Sequence, residues 1–382
     1  MRPVRILHTA DVHLGASAAA FGERAQAHRQ QLRATFQRLV EEALQGYDLL
    51  VIAGDLFDSP RPAQRTVDFV AAQLRGLGEA SPPVHAAILP GTHDRLGGDS
   101  VYERGELDSV GPHLHLMAQP GPQRVDLPHL GLALHGTPCA AATSETNPLA
   151  GLPLAGDDAL DLGLAHASVG AVGAMGDETW RIPPGAIAES GLCYLALGHW
   201  HAFGDHSEGA TTAYYSGAPE PLALDQRGAG SAAAVTINQQ DQVSVEQLQI
   251  GQLRVEQVDI DLAQYPDQAA IADKLRSLAD EHLVLDAKLH GLGRPDRPVD
   301  ADQLQEELQG AFFRLHLRDE SHVALDAIAE RDYPEELVIG RFVRKLKRAI
   351  TEAEAAGDQE ARRRAEEALQ IGVALLQGRK VL

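Results

Sequence analysis

Asp11 with His13, Asp55, His93 with Asp94, His166, and His199 with His201 are the places where this sequence could do chemistry. Each follows closely on a short apolar run of the kind that forms a buried strand. Carboxylate oxygens beside neutral imidazoles suit hard-to-borderline divalent ions such as manganese, iron or zinc. A carboxylate shared by two such ions would hold them ~3.5–4 Å apart, clamping the attacking and leaving oxygens of a phosphoester. Asp55 is the natural bridge, because it closes the apolar run 49–53 at a glycine. Gly54, Gly91 and Gly198 would let the backbone turn tightly beneath the ions. Any one Asp-x-His is more often a surface turn in a chain with 17 histidines. Recurrence at five strand ends is a different matter, because ligands of open α/β sheets gather at the carboxyl ends of strands.

The elements that would position these residues can be read from the apolar spacing. Residues 5–9 are a strand leading into Asp11, and 49–53 (Leu-Leu-Val-Ile-Ala) and 84–89 are two more. Between them Leu32, Phe36, Leu39, Val40, Ala43 and Leu44 recur at helical spacing, as do Val67, Val70, Ala71, Leu74 and Leu77. Strand-helix-strand-helix-strand order implies an α/β core with a largely buried sheet. After about residue 110 the runs 113–117, 131–135, 162–166, 194–198, 212–216 and 233–237 suggest a second sheet packed on the first. The loop 139–158 is rich in Ala, Thr, Pro and Gly and is expected to be exposed. Residues 255–330 mix strand and helix as a smaller domain would. From 335 onward two helices are expected, broken at Gly357-Asp358.

Composition sets limits on this reading. With 382 residues, 44% apolar and 23% charged, the chain suits two or three folded domains and not a disordered tail. No apolar run approaches the ~18 residues of a membrane span. The first residues lack the apolar core of a secretion signal. Cys139 and Cys193 form no CxxC, so a reducing cytoplasm is expected. A formal charge of −21 would repel a nucleic-acid backbone if spread evenly.

Five stretches carry a family resemblance. They are Arg5-Ile6-Leu7-His8-Thr9-Ala10-Asp11-Val12-His13-Leu14-Gly15, Val51-Ile52-Ala53-Gly54-Asp55-Leu56-Phe57-Asp58, Pro90-Gly91-Thr92-His93-Asp94, Leu197-Gly198-His199-Trp200-His201, and Tyr215-Ser216-Gly217-Ala218-Pro219-Glu220-Pro221-Leu222. The set resembles the calcineurin-like metallophosphoesterases and, more narrowly, the nuclease subunit of the SbcCD and Mre11–Rad50 DNA repair complexes. The likeness covers about residues 4–240. It implies a four-layer α/β/β/α sandwich over 1–253, an α+β capping domain over 254–330, and a C-terminal helical pair over 331–382.

What the resemblance implies about the site can be carried over residue by residue. One ion would be held by Asp11, His13, Asp55 and His201, and the second by Asp55, Thr92, His166 and His199. His93 would meet the charge developing on the leaving oxygen, oriented by Asp94. Family members carry an asparagine where this chain has Thr92, and a threonine hydroxyl is a shorter, poorer ligand than an amide carbonyl. The activity implied is manganese-dependent exonuclease or endonuclease cleavage of DNA by a cytoplasmic, nucleoid-associated homodimer. Its partner would be an SbcC/Rad50-like coiled-coil ATPase, bound by the helical pair. On that pair Ile339, Phe342, Val343, Leu346 and Ile350 form an apolar face that the second helix could equally cover. Arg29, Arg33, Arg61 and Arg65 offer a local basic track for DNA. Two other functions fit the same residues: a phosphodiesterase acting on a smaller substrate, and a DNA-binding scaffold weakened at Thr92.

Overall fold

The computed structural model describes residues 3–156, 159–170, 180–293, 299–323, 333–334 and 336–376. The chain forms two compact units, Met1–Val255 and Glu256–Leu382. In the first, strands β1 (Val4–Thr9), β2 (Leu49–Ala53), β3 (His85–Leu89) and β4 (Leu114–Leu116) run parallel to one another. Helices α1 (Ala25–Ala43) and α2 (Gln64–Gly78) make the crossovers between the first three. A second sheet contains β5 (Gln123–Leu127), β6 (Leu132–Gly136) and β7 (Leu160–His166). After a short pair, β8 (Ser168–Val169) with β9 (Arg181–Ile182), it is completed by β10 (Tyr194–Gly198), β11 (Phe203–Asp205) and β12 (Thr212–Ser216). The chain then returns to the first sheet through β13 (Ser231–Ile237), antiparallel to β1, and β14 (Val243–Gln249).

Strand β2 shows why the layers form. All five of its residues are buried, so both faces must meet apolar neighbours. Leu50 and Ile52 pack with Leu32, Phe36, Val70 and Leu74 of the helices. Leu49, Val51 and Ala53 point the other way, into a core shared with Leu132, Leu134, Leu162, Leu164 and Ala196 of the second sheet. Period-two alternation on one strand thus fixes the order helix, sheet, sheet. The outer face of the second sheet is covered, among the described residues, by Leu149, Trp180, Ile182 and Ile187 from loops and turns.

Two of the six later runs go elsewhere than expected. Residues 114–116 and 231–237 join the first sheet, because short apolar runs encode burial but not which neighbour supplies it. The loop after Cys139 is also less open than its composition suggests: Cys139 and Leu149 are buried.

The second unit has its own core. Strands β15 (Arg254–Asp261), β16 (Asp280–His290) and, after the two-residue β17 (Leu292–Gly293), β18 (Phe312–Asp319) supply its strands, with β15, β16 and β18 in one sheet. Helices α3 (Gln268–Arg276) and α4 (Ala301–Leu308) bury Ile271, Leu275, Leu304 and Leu308 with Leu285, Leu289 and Leu315 of the strands. The helical pair is Val338–Ala356 and Gln359–Leu376, separated by Gly357 in the left-handed conformation at φ 71°. Val343, Leu369 and Val373 are buried between the helices, with Ile339, Phe342, Leu346 and Ile350 against them. The second helix therefore covers that apolar face. Leu337, Val338, Ile371, Leu375 and Leu376 stay exposed. Among the described residues no helix is long and apolar enough to cross a membrane.

Candidate metal centre

The turns after β1 and β2 are locked to each other. Asp11, His13 and Asp55 have left-handed backbone, at φ 55°, 49° and 52°. Such conformations cost a non-glycine residue about 1–3 kcal/mol and persist only where neighbours enforce them. Here the enforcement is a run of N–H···O=C bonds across the two turns. Asp11 donates to Gly54 (3.1 Å), His13 to Asp55 (2.9 Å) and Leu14 to Leu56 (2.9 Å). Both carboxylates and the His13 ring are buried as a result.

The second sheet brings its imidazoles to the same place. His166 ends β7, and its Nδ1 lies 3.0 Å from the Ala53 carbonyl at the end of β2. A Cβ on Gly54 would sit 2.2 Å from that Nδ1, so only glycine, here at φ +95°, permits the approach. With Nδ1 donating to a carbonyl, Nε2 is the atom that faces Asp55 Oδ2 (3.2 Å) and Asp11 Oδ1 (4.0 Å). Burial opposes a charged ring, yet the Asp55 carboxylate outweighs it and lifts the His166 pKa to about 10. Asp55, despite its own burial, is held well below the usual carboxylate range by His166, His13 and His93. His201 Nε2 lies 3.7 Å from Asp11 Oδ1. The His199 N–H donates to both Asp11 oxygens, at 3.2 and 2.9 Å. Its ring stands at 80° to that of His166, and burial, then the neighbouring His166 charge, press its pKa to about 4.

Among the described residues three groups each bring their donor atoms within 4.8 Å of one another: Asp11, His13 and His201; Asp11, Asp55 and His166; and His13, Asp58 and His93. His199 is in none of them. Thr92, 9% exposed, sets its Oγ1 3.4 Å from both Asp55 Oδ2 and His166 Nε2, so position 92 does face the cluster. The residues fit a cation. His13 Nε2 is buried with no hydrogen-bond partner among the described residues and lies 3.6 Å from Asp55 Oδ2, as a lone pair kept for an ion would. All the donors are carboxylate or hydroxyl oxygen and imidazole nitrogen, a set for a divalent ion of intermediate hardness.

His93 sits at the open edge of this cluster, its side chain 52% exposed. Its backbone N–H donates to Asp55 Oδ1 at 2.8 Å. Its ring stands at 84° to that of His13, and its Nδ1 is 3.6 Å from Asp58 Oδ1. The Asp58 carboxylate raises the His93 pKa to about 8 against the cost of burial. Asp58 in turn is lowered to about 2: burial opposes its charge, but His13 and His93 prevail.

The expectation that Asp94 orients His93 needs correction. Asp94 is fully buried and accepts from the Gly91 N–H (2.7 Å), the Phe57 N–H (3.1 Å) and the Tyr102 hydroxyl (2.6 Å). It holds the turn on which His93 stands, and the side chain beside the imidazole is Asp58. Sequence reasoning missed Asp58, although it lies in the quoted stretch three residues after Asp55. Spacing gave no signal for it, because the contact depends on the turn after β2 running alongside the turn after β1 through a bridge of Phe57 with Leu14. That bridge puts Asp58 Oδ1 3.0 Å from His13 Nδ1.

A two-sheet α/β sandwich with carboxylates and imidazoles gathered at parallel strand ends defines a metallophosphoesterase. The chain belongs to the calcineurin-like phosphoesterase family, which residues 4–203 match. It is 29% identical over 240 residues to the DNA double-strand break repair protein Mre11 of Methanopyrus kandleri, covering 59% of this chain and 52% of that one. It is 28% identical over 267 residues to SbcD of the nuclease SbcCD from Rhodobacter capsulatus, covering 59% and 64%. A shorter match, 42% over 91 residues, joins 24% of the chain to 21% of the Mre11 protein of Aeropyrum pernix. The chain thus spans between half and two-thirds of the first two relatives. A solved structure of a conserved uncharacterized phosphoesterase from Streptococcus pneumoniae TIGR4 covers 65% of this chain and 98% of its own. Its identity to this chain is 10% and the TM-score 0.28.

Proposed function

We propose that this protein is a metal-dependent nuclease that hydrolyses DNA phosphodiester bonds at the cluster around Asp55. The observation that carries the reading is the burial of Asp55 between His13, Thr92 and His166, with Asp11 joining from the adjacent turn. Asp11, His13, Asp55 and His201 would hold one divalent ion, and Asp55, Thr92, His166 and His199 the other, manganese being the ion expected. Bound there, two such ions supply a polarised phosphoryl oxygen and a water acidic enough to attack at neutral pH. The protein's own part lies in placement and protons. Asp55 is fixed by the His93 N–H and Asp11 by the His199 N–H, so neither carboxylate rotates away. His93, whose pKa the Asp58 carboxylate raises to about 8 in the metal-free protein, would meet the charge that develops on the leaving oxygen. Asp58 keeps the proton on the ring.

DNA as substrate, in exonuclease or endonuclease mode, draws its support from the likeness to Mre11 and SbcD. So does partnership with an SbcC/Rad50-like ATPase, for which the exposed Leu337, Val338, Ile371 and Leu375 of the helical pair offer a docking surface. A cytoplasmic, nucleoid-associated homodimer completes the proposal. The charge of −21 favours a second reading, a phosphodiesterase for small substrates. Manganese-loaded protein should bind close to two equivalents per chain and cleave linear DNA faster than a small chromogenic phosphodiester. Cleavage of the small ester alone, with the ATPase partner present, would establish the second reading. Failure to bind either ion would sink both.

A further inference from the structure

The chain has two tryptophans in opposite situations. Trp180 is 6% exposed and packs in the core outside the second sheet, its indole N–H donating to the Ala141 carbonyl at 2.9 Å. Trp200 is 37% exposed and lies between His199 and His201, yet none of the roles above uses it. It is held as well as open. Its Nε1–H donates to Ser168 Oγ at 3.3 Å, and its ring stands at 87° to the His199 imidazole with centroids 6.1 Å apart. The backbone beneath it is pinned where the His199 N–H meets the Asp11 carboxylate. An indole fixed by an edge, with open surface, at the rim of a phosphoester site is a surface for a flat apolar ligand.

We propose that Trp200 is the stacking platform for the nucleobase beside the scissile phosphate, and that it selects unpaired DNA. This rests on the nuclease reading above and adds to it the form of the substrate. Inside a duplex both faces of a base are covered by its neighbours, so away from a duplex end only a single-stranded or frayed nucleotide can present a face to the indole. Stacking also meets the difficulty raised by charge. A chain at −21 gains little from general attraction to phosphates, whereas contact between a base and an aromatic ring does not depend on net charge and tolerates any sequence.

Intrinsic fluorescence reads the contact directly, because Trp180 is buried and Trp200 is not. Titrating the full chain, in magnesium, with a phosphorothioate oligothymidylate should quench emission. The Trp200→Phe variant should lose that quench, and an abasic oligonucleotide should quench neither protein. In manganese-supported cleavage the wild type should prefer an intact over an abasic single strand by about tenfold in kcat/KM, the order of one stacked base. Trp200→Ala should bring that ratio close to one, and Trp200→Phe should keep most of it. A quench that survives in Trp200→Phe, or equal ratios in wild type and Trp200→Ala, overturns the proposal. Quenching without cleavage leaves the platform standing and removes the nuclease reading; cleavage without quenching does the reverse.

Discussion

The two sheets contribute to the candidate metal centre in different ways. The first supplies both buried carboxylates, Asp11 and Asp55, from turns that must adopt left-handed backbone to present them. The second supplies His166, His199 and His201, and of these only His199 has a positive φ, 104°. Each set is held in place by the other sheet. The Ala53 carbonyl fixes the His166 ring, and the His199 N–H fixes the Asp11 carboxylate. The centre is therefore a property of the packed pair of sheets, and preorganisation on one side depends on backbone from the other.

The largest effect should come from breaking the member that both halves share. Asp55→Ala removes the carboxylate that contacts His13, His166, Thr92 and the His93 N–H. Partners of metal ligands alone are typically worth ~10–100-fold in metal affinity, so loss of a bridging ligand should exceed that for both ions. Metal analysis after manganese loading checks it. A variant that keeps both equivalents would show that Asp55 does not bridge.

Next in size is a change that should spare the metals. His93→Asn removes the raised imidazole at the open edge, and turnover should fall by about 10²–10⁴-fold while metal content stays at the wild-type level. Asp58→Asn should lower the pKa that His93 contributes to the pH–rate profile, because the neighbouring carboxylate is what raises it. Equal metal loss in the Asp55 and His93 variants would make His93 a ligand, and the division of roles would fall.

The contact between the sheets has a pH signature of its own. His8 on β1 meets the Tyr194 hydroxyl on β10 at 2.8 Å, and complete burial lowers its pKa from 6.5 to about 3. A folded pKa below the unfolded one means the unfolded chain binds the extra proton. Stability is then fully present above pH 6.5 and is lost as pH falls from there toward 3. One such group contributes a slope of about 1.4 kcal/mol per pH unit, or about 2 kcal/mol by pH 5. Buried His28 and His135 are lowered too and act in the same direction. Urea unfolding of the metal-free protein at pH 6.5 and pH 5, below the range in which the raised His93 and His166 act the other way, should show the loss, and His8→Gln should remove one proton's share. An unchanged slope in that variant would mean His8 is charged in the fold.

The same contrast between sheets explains what could be read in advance. Strand β2 and its closing Gly54-Asp55 were legible because burial on both faces demands five apolar residues in a row, and a turn must follow. The ligand types stood out for their chemistry. The partner of His93 did not, because Asp94 is its immediate neighbour in sequence while Asp58 lies 35 residues away. Only the pairing of Phe57 with Leu14 brings Asp58 to the rings, while Asp94 turns inward to Tyr102. Sheet membership of 114–116 and 231–237 was hidden for a related reason: an apolar run carries no label for its neighbour.

Thr92 is where the two contributions are least balanced, and the smallest predicted effect tests it most finely. Its hydroxyl lies 3.4 Å from Asp55 Oδ2 and from His166 Nε2, long contacts that leave it facing the cluster without closing on either partner. An amide is one atom longer and presents a carbonyl oxygen, a better ligand for a divalent ion than a neutral hydroxyl. Thr92→Asn should therefore tighten the second ion, by up to about tenfold, since the remaining ligands are already held and a single ligand adds to a preformed set. Turnover at limiting manganese should rise with it, and at saturating manganese the two proteins should converge. Wild type that stays inert at every manganese concentration beside an active Thr92→Asn variant would make the natural chain a binding subunit with a disabled centre. Weaker binding in the variant would mean that the space between Asp55 and His166 is shaped to threonine. In that case the first sheet's share of the second ion is complete as it stands.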